Sequence, residues 1–159
     1  MFKKLIKIVC LFIMLVTILG GCKSQNVSLQ KDIFSYLDEN MQEKTCVKIS
    51  DFTQFEWDTL LIFRYPITQK EIEEAIGVRY EGSLDLTSGM IFVLNNEVVY
   101  DEIFKNAYTA LTPLLIYPYE DINYSKKYAA FSPDTAIFEC EKVTSGEMYG
   151  YRLYPCKMN

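Results

Sequence analysis

Residues 89–104 read GMIFVL-NN-EVVYDEIF, and this stretch decides the fold class. Two runs rich in β-branched, aliphatic and aromatic residues flank Asn95-Asn96. Asparagine tolerates the positive φ angles that a two-residue hairpin turn requires. We therefore predict a β-hairpin with strands over 89–94 and 97–104. Strands joined by so short a turn run antiparallel.

Other segments extend this antiparallel pattern. A second hairpin is predicted from 135–143 and 148–156, with its turn at Thr144-Ser145-Gly146-Glu147. Further strands are predicted over 46–49, 57–65 and 78–86; the second of these, WDTLLIFRY, is apolar enough to be buried on both faces. We interpret 105–131, which contains Pro113 and Pro118, as a long, partly ordered loop.

Two helices are predicted among these strands. Ser28 caps a helix over 29–42, in which apolar residues recur at helical spacing. Thr68 and Glu71 form a capping box for a second helix, which Gly77 ends. Because two helices cannot cover both faces of a sheet, we expect them on one face of a mostly antiparallel sheet of about 5–7 strands. Residues 28–159 would then form a single α+β domain.

The N-terminus has the pattern of a secretory signal. Three lysines precede an unbroken apolar run of twelve residues over 8–19. A helix of that length rises about 18 Å, which is short of the ~30 Å hydrocarbon core of a bilayer. The residues that follow, Leu19-Gly20-Gly21-Cys22, resemble the lipobox of bacterial lipoproteins.

This resemblance implies that residues 1–21 are a lipoprotein signal peptide, that Cys22 receives a diacylglyceryl group, and that 22–27 are a short tether. Two acyl chains suffice for stable anchoring without a spanning helix. We therefore expect a protein lipid-anchored to the cell membrane and facing outside the cytoplasm. Cleavage would leave 13 basic against 21 acidic residues. A net charge of −8 without a basic patch argues against nucleic acid as a partner.

The residue inventory argues against catalysis. The chain has no histidine, which removes the commonest general base and metal ligand. Ser28 and Lys31 spell S-x-x-K without companion motifs, so Ser28 is more simply a helix cap. The acids around Trp57 match solvated turns better than a sugar site, and 120–123 lacks a calcium-loop pattern. We expect no enzyme activity, no cofactor and no metal.

Three cysteines remain after Cys22, so one internal disulfide at most can form. The predicted hairpin register places Cys140 opposite Tyr151. Along its strand, Cys140 is then five residues, or roughly 16 Å, away from the position that faces Cys156. A disulfide needs Cα atoms about 4.4–6.8 Å apart, which argues against that pair. Cys46 with Cys156 is the alternative pair. Equally, all three can be small packing residues.

Tyrosines are concentrated in the C-terminal half, where nine of the twelve lie between residues 100 and 154. Tyrosine supplies a large contact area at a low entropy cost and is enriched at interfaces. Tyr117, Tyr119, Tyr124 and Tyr128 in the predicted loop are therefore a candidate binding surface. The alternative is that these rings cover a sheet face that a small domain would otherwise expose.

About half of the mature chain carries a second resemblance. Residues 55–58 (FEWD), 60–63, 68–77 and 89–100 resemble, in this order, segments of small uncharacterised envelope lipoproteins. The resemblance supports a fold and implies no activity. We expect a non-catalytic envelope lipoprotein that binds a macromolecule, most simply a protein. Two alternatives stay open: an inhibitor or immunity-type lipoprotein that blocks an enzyme or toxin at the membrane, and a small glycan or solute binder.

Overall fold

A computed structural model describes residues 28–42, 45–84, 88–104, 113–119 and 126–156. These residues form two α-helices, a short 3₁₀ helix and eight strands. In chain order they are α1 (Leu29–Asn40), β1 (Thr45–Lys48), the 3₁₀ helix (Ile49–Asp51), β2 (Thr59–Phe63), α2 (Gln69–Ile76), β3 (Ser88–Leu94), β4 (Glu97–Phe104), β5 (Leu114–Ile116), β6 (Tyr128–Phe131), β7 (Ile137–Ser145) and β8 (Met148–Pro155).

The strands form two four-stranded sheets. The first sheet has the order β1-β7-β8-β5, and the second has the order β4-β3-β2-β6. All pairs are antiparallel except β5 with β8, which run parallel. The predicted α+β class and the mostly antiparallel pairing are thus confirmed. The expected single sheet is instead divided in two, because β2 and β3 pair with each other and with neither β7 nor β8.

Both predicted hairpins form. Asn95 and Asn96 adopt φ angles of 51° and 65°, so both turn residues of the β3–β4 hairpin lie in the left-handed region. In the β7–β8 hairpin, Ser145 pairs with Met148, and Gly146 has φ 63°. This places Cys140 opposite Leu153 and corrects the predicted register by two residues.

The larger core contains residues from both sheets and from α1. Leu29, Ile33 and Leu37 follow one stripe of α1 and are fully buried. They share this core with alternate residues of β2 and β3 and with the inward-facing residues of the first sheet, including Leu60, Ile62, Met90, Phe92, Val47, Phe138, Tyr151 and Leu153. The first helix therefore belongs to the core that the two sheets share.

A second core lies on the opposite face of the second sheet. Ile72 and Ile76 of α2 pack there with Leu61, Phe63, Ile91 and Val93. The two helices thus occupy different cores, which corrects the expectation that both lie on one face. The physical reason is that β2 and β3 are apolar on both faces, and each face needs its own cover.

The loops differ from the prediction in two places. Residues 78–84 form no strand, and Tyr80 is buried in the second core. The segment interpreted as a loop contains β5 and β6, which become the edge strands of the two sheets. A three-residue strand carries too little periodicity to be recognised in the sequence. Within the described ranges, no helix has the length and apolar character to cross a bilayer.

Candidate functional site

Two of the four candidate tyrosines are covered by other side chains to different extents. Tyr119 is only 7% exposed, and the half-buried Tyr117 stacks on Tyr154 with ring centroids 4.8 Å apart. Arg64, itself buried, lies 4.8 Å above the Tyr117 ring and donates from Nη1 to the Tyr119 hydroxyl. Tyr119 therefore cannot belong to the exposed binding surface that the sequence suggested, and only part of Tyr117 can.

The other candidate residues are either exposed or outside the described residues. Tyr128 is 37% exposed, at the end of edge strand β6 where it pairs with Phe63. Tyr124 and Cys22 lie outside the described residues. Of the candidate tyrosines in the described part of the chain, Tyr128 is the most exposed.

The structure assembles a different aromatic surface, which we call the hairpin cluster. It consists of Phe34 and Asp38 on α1 with Lys142, Tyr149 and Tyr151 on the β7–β8 hairpin. Because residues four apart lie on one face of a helix, Phe34 and Asp38 both point at the hairpin. Because residues directly opposite in an antiparallel pair share a face, Lys142 lies beside Tyr151, with its Nζ 5.6 Å from the Tyr151 ring centroid. The Tyr151 ring in turn meets Phe34 of the helix at a centroid distance of 5.4 Å.

Tyr149 is the exposed aromatic residue of the hairpin cluster, next to the exposed side chains of Asp38 and Lys142. Its side chain is 41% exposed, yet its hydroxyl donates to Asp38 Oδ1 at 2.6 Å. Its ring stacks on Phe34 at 6.1 Å, and Lys142 Nζ lies 4.2 Å from the ring centroid. Met148, the preceding residue, is 49% exposed. The cluster therefore presents an apolar surface whose central ring is held from three directions.

Electrostatics keep the hydroxyls of this cluster protonated. The hydrogen bond to Asp38 raises the pKa of Tyr149 above its ordinary value. Burial, reinforced by the Asp38 carboxylate, raises the pKa of Tyr151 to about 12. Both phenols are thus hydrogen-bond donors to Asp38 near neutral pH, at 2.6 Å and 3.3 Å.

The sequence contained only part of this site. Tyr149 and Tyr151 belong to the tyrosine-rich C-terminal half, but the helical partners Phe34 and Asp38 lie more than 100 positions away. Asp38 is exposed on α1, and no local pattern in the sequence links it to the hairpin. Tyr149 and Tyr151 are two residues apart in one strand and therefore lie on the same face, which was the local signal for a shared surface.

Two of the three described cysteines lie close together, and the third is separate from them. The Sγ atoms of Cys46 and Cys156 lie 3.8 Å apart, so the pair that the sequence offered as an alternative is brought together as free thiols. Cys140 is buried in the larger core, and burial raises the pKa of its thiol to about 11. A disulfide between Cys46 and Cys156 remains a prediction.

The residues considered for catalysis have structural roles. Ser28 caps α1 by accepting from the Lys31 amide at 3.3 Å, and Thr68 and Glu71 complete their capping box. Trp57 is 6% exposed in the core. Asp58 Oδ2 accepts from the Asn95 amide at 2.9 Å, which ties it to the β3–β4 turn. Across the described segments, no group of three or more Cys, Asp or Glu side chains is placed to hold a metal ion.

No protein-family model, no curated protein and no solved structure matches this chain.

Proposed function

We propose that this protein is a non-catalytic, membrane-anchored lipoprotein of the cell envelope that binds a protein partner through the hairpin cluster. The lipobox at residues 19–22 supports the anchor. The hairpin cluster replaces the loop tyrosines as the binding surface, because Tyr119 is buried and Tyr117 is half-buried against Tyr154.

One observation carries the choice of surface: Tyr149 is exposed and at the same time fixed. An exposed ring that is already held by Asp38, Phe34 and Lys142 loses little conformational freedom when a partner covers it. Rigid tyrosines flanked by flexible apolar side chains such as Met148 are typical of interface hot spots. The surface needs no rearrangement before it can bind.

The hairpin cluster lies towards the C-terminal end of α1. The proposed anchor residue Cys22 precedes Ser28 by six positions, and Ser28 is the N-cap of α1. Asp38 lies ten residues further along the same helix, which corresponds to about 15 Å of rise. The cluster is therefore near the helix end opposite to the one that follows the proposed anchor.

Charge narrows the class of partner. The mature chain carries a net charge of −8, which disfavours nucleic acids and anionic surfaces. The hairpin cluster itself pairs one lysine with one aspartate around its rings, so aromatic and apolar contact should dominate binding. A protein surface with an apolar pocket for the Tyr149 ring fits these properties.

The proposal is tested by placing a photo-cross-linking phenylalanine derivative at position 149 in the intact, full-length protein in cells. A defined adduct with one envelope protein is expected. The control places the same group at position 65, because Tyr65 is 44% exposed and lies outside the cluster. An identical adduct from both positions would contradict the assignment.

Binding of the captured partner is then measured with substituted proteins. Tyr149→Ser should weaken binding about tenfold or more, as truncation of an aromatic hot spot does. Tyr149→Phe keeps the ring and loses the bond to Asp38, so it should weaken binding less. Tyr65→Ser should bind like the unsubstituted protein. Unchanged binding by folded Tyr149→Ser would refute the hairpin cluster as the binding surface.

A further inference from the structure

Two thiols meet on the outer face of the first sheet. Cys46 on β1 lies opposite Glu139 of β7, and both side chains are exposed. On the other side of β7, the Cys156 amide donates to the Ile137 carbonyl, just beyond the end of β8. The two cysteines therefore flank β7 diagonally, and their Sγ atoms are 3.8 Å apart.

The third thiol of the described chain faces the other way. Cys140 is one residue from Glu139 on β7, so its side chain points to the opposite face of the sheet. It is 5% exposed in the larger core, opposite Thr45 and Leu153. The sheet therefore separates Cys140 from the outer pair.

We propose that Cys46 and Cys156 are an oxidisable pair that forms an intramolecular disulfide across β7. The bond would tie edge strand β1 to the chain leaving β8, two segments that bond to opposite sides of β7. The oxidant is a disulfide-containing compound or protein that reacts by thiol–disulfide exchange. The two thiols lose two protons and two electrons, and the oxidant takes them up as two free thiols.

The surroundings of the two thiols set the order of the steps. Cys46 is exposed, so its thiolate meets the oxidant first and forms a mixed disulfide. Burial, reinforced by the neighbouring Cys46, raises the pKa of Cys156 to about 11. Cys156 is therefore the resolving thiol: its thiolate attacks the Cys46 sulfur and releases the second half of the oxidant.

Bond formation also requires the two segments to approach. The sulfurs must close from 3.8 Å to a bond length of about 2.05 Å, and the Cα atoms must come within about 6.8 Å. Because β7 lies between them, the two flanking segments are about two strand spacings, or ~9.6 Å, apart, so the chain around Cys46 or Cys156 must shift across β7 for the bond to form. Within the described residues, β1 is a four-residue edge strand and Cys156 follows the last residue of β8, so a shift at these two places disturbs few strand pairs. We therefore infer a reversible disulfide crosslink at the edge of the first sheet.

Trypsin provides a direct test, since its cleavage sites release Cys46 in 45–48 (TCVK), Cys156 in 153–157 (LYPCK) and Cys140 in 128–142. The full-length protein is incubated with oxidised glutathione, alkylated and digested without reduction. A linked species of the first two peptides, lighter by two hydrogens than their sum, is expected. Its yield should not depend on protein concentration, and excess reduced glutathione should remove it.

Variants identify the pair. Cys140→Ser should leave the linked peptides unchanged, and Cys46→Ser or Cys156→Ser should abolish them. The Cys156→Ser protein should instead accumulate a stable glutathione adduct on Cys46, because the resolving thiol is missing, and its circular dichroism spectrum should match that of the parent protein. The inference is overturned if the Cys140 peptide enters the linkage, or if Cys46 and Cys156 are both recovered as separate alkylated or glutathione-bearing peptides after oxidation. Neither result depends on a binding partner.

Discussion

Ser28 donates its hydroxyl to Glu102 Oε1 at 2.6 Å, which joins the N-cap of α1 to a residue of β4 that is 74 positions away. The other carboxylate oxygen accepts from the Gln30 amide at 3.1 Å and from the Tyr100 hydroxyl at 2.9 Å. A carboxylate at this position satisfies a helix N–H group that has no partner within the helix and lies at the positive end of the helix dipole. Glu102 thus fixes the start of the domain against the second sheet.

Removing this carboxylate should destabilise the domain. Glu102→Ala eliminates three hydrogen bonds, two of them to the first residues of the α1 region, and we expect a loss of about 1–3 kcal/mol in the free energy of unfolding. Urea denaturation followed by circular dichroism measures it. Glu97→Ala, an exposed residue on the same strand, should change stability by less than about 0.5 kcal/mol. Equal effects of both substitutions would contradict the role of Glu102.

Gly89 should tolerate no side chain. A Cβ there would lie 2.6 Å from the backbone oxygen of Glu102 and 2.9 Å from Phe63 Cζ. We expect Gly89→Ala to destabilise the fold by about 1–3 kcal/mol through overpacking.

Gly146→Ala provides the comparison for this clash. Its Cβ meets nothing within 4 Å, but its φ is +63°, so we expect a smaller loss of about 1 kcal/mol from backbone strain. Thermal unfolding of both proteins ranks the two effects. A Gly146→Ala loss that exceeds the Gly89→Ala loss would count against the observed packing of β3 on β4 and β2.

The free energy of unfolding should fall at acid pH because of Glu71. Hydrogen bonds from Lys127, at 2.8 Å, and from Thr68 lower the pKa of Glu71 from 4.5 to about 2. Because the folded-state pKa is depressed, the stabilisation is present above pH 4.5 and is lost as the pH falls from there through about 2. Unfolding midpoints in urea, measured in small pH steps over this window, report the slope.

Substitutions assign that slope to the Glu71–Lys127 pair. Lys127→Met and Glu71→Gln should each flatten the pH dependence, and Lys126→Met, at the exposed neighbouring position, should not. The assignment fails if Lys127→Met leaves the slope as steep as in the parent protein.

The separation of the two cores predicts additive effects. Ile33→Ala and Ile72→Ala each remove a fully buried side chain and should each lower stability by about 2–5 kcal/mol. Because the two residues belong to different cores, the double substitution should equal the sum of the single effects within about 0.5 kcal/mol. If the double variant does not remain folded, the conservative pair Ile33→Val and Ile72→Val tests the same additivity. A coupling energy well above that limit would show that the helices share one core.

The proposed lipid anchor predicts that the location of the protein depends on Cys22. Cys22→Ser removes the acceptor of the diacylglyceryl group, and the protein should move from the membrane fraction to the aqueous fraction on cell fractionation. Cys46→Ser serves as the control and should stay with the membrane. If the Cys22→Ser protein remains membrane-bound and its leader is retained, the leader is an anchor in its own right and the lipobox assignment is wrong.

Features governed by a few neighbouring residues could be predicted from the sequence. The Thr68–Glu71 capping box and the Gly77 helix end appear as expected, with Gly77 at φ 73°. The Asn95-Asn96 turn and the burial of β2 are also confirmed. In each case the determining interactions span at most a few residues, and local propensity and turn chemistry are sufficient.

Features that depend on distant strands could not be predicted. The short strands β5 and β6 exist because β8 and β2 offer them an edge, and their own sequences carry little strand signal. The stacking of Tyr117 on Tyr154 follows from the β5–β8 register. The aromatic content of 105–131 was visible in the sequence, but the direction of each ring was not.

The sequence by itself determined the α+β class, the two hairpins, the helix caps and the lipobox pattern, because each is encoded in residues that are neighbours along the chain. The tertiary structure decided that there are two sheets and two cores, that Asp38 holds Tyr149, and that the thiols of Cys46 and Cys156 meet. The physical reason is distance along the chain. Contacts between residues more than 100 positions apart are fixed only when all strands and helices together bury their apolar faces.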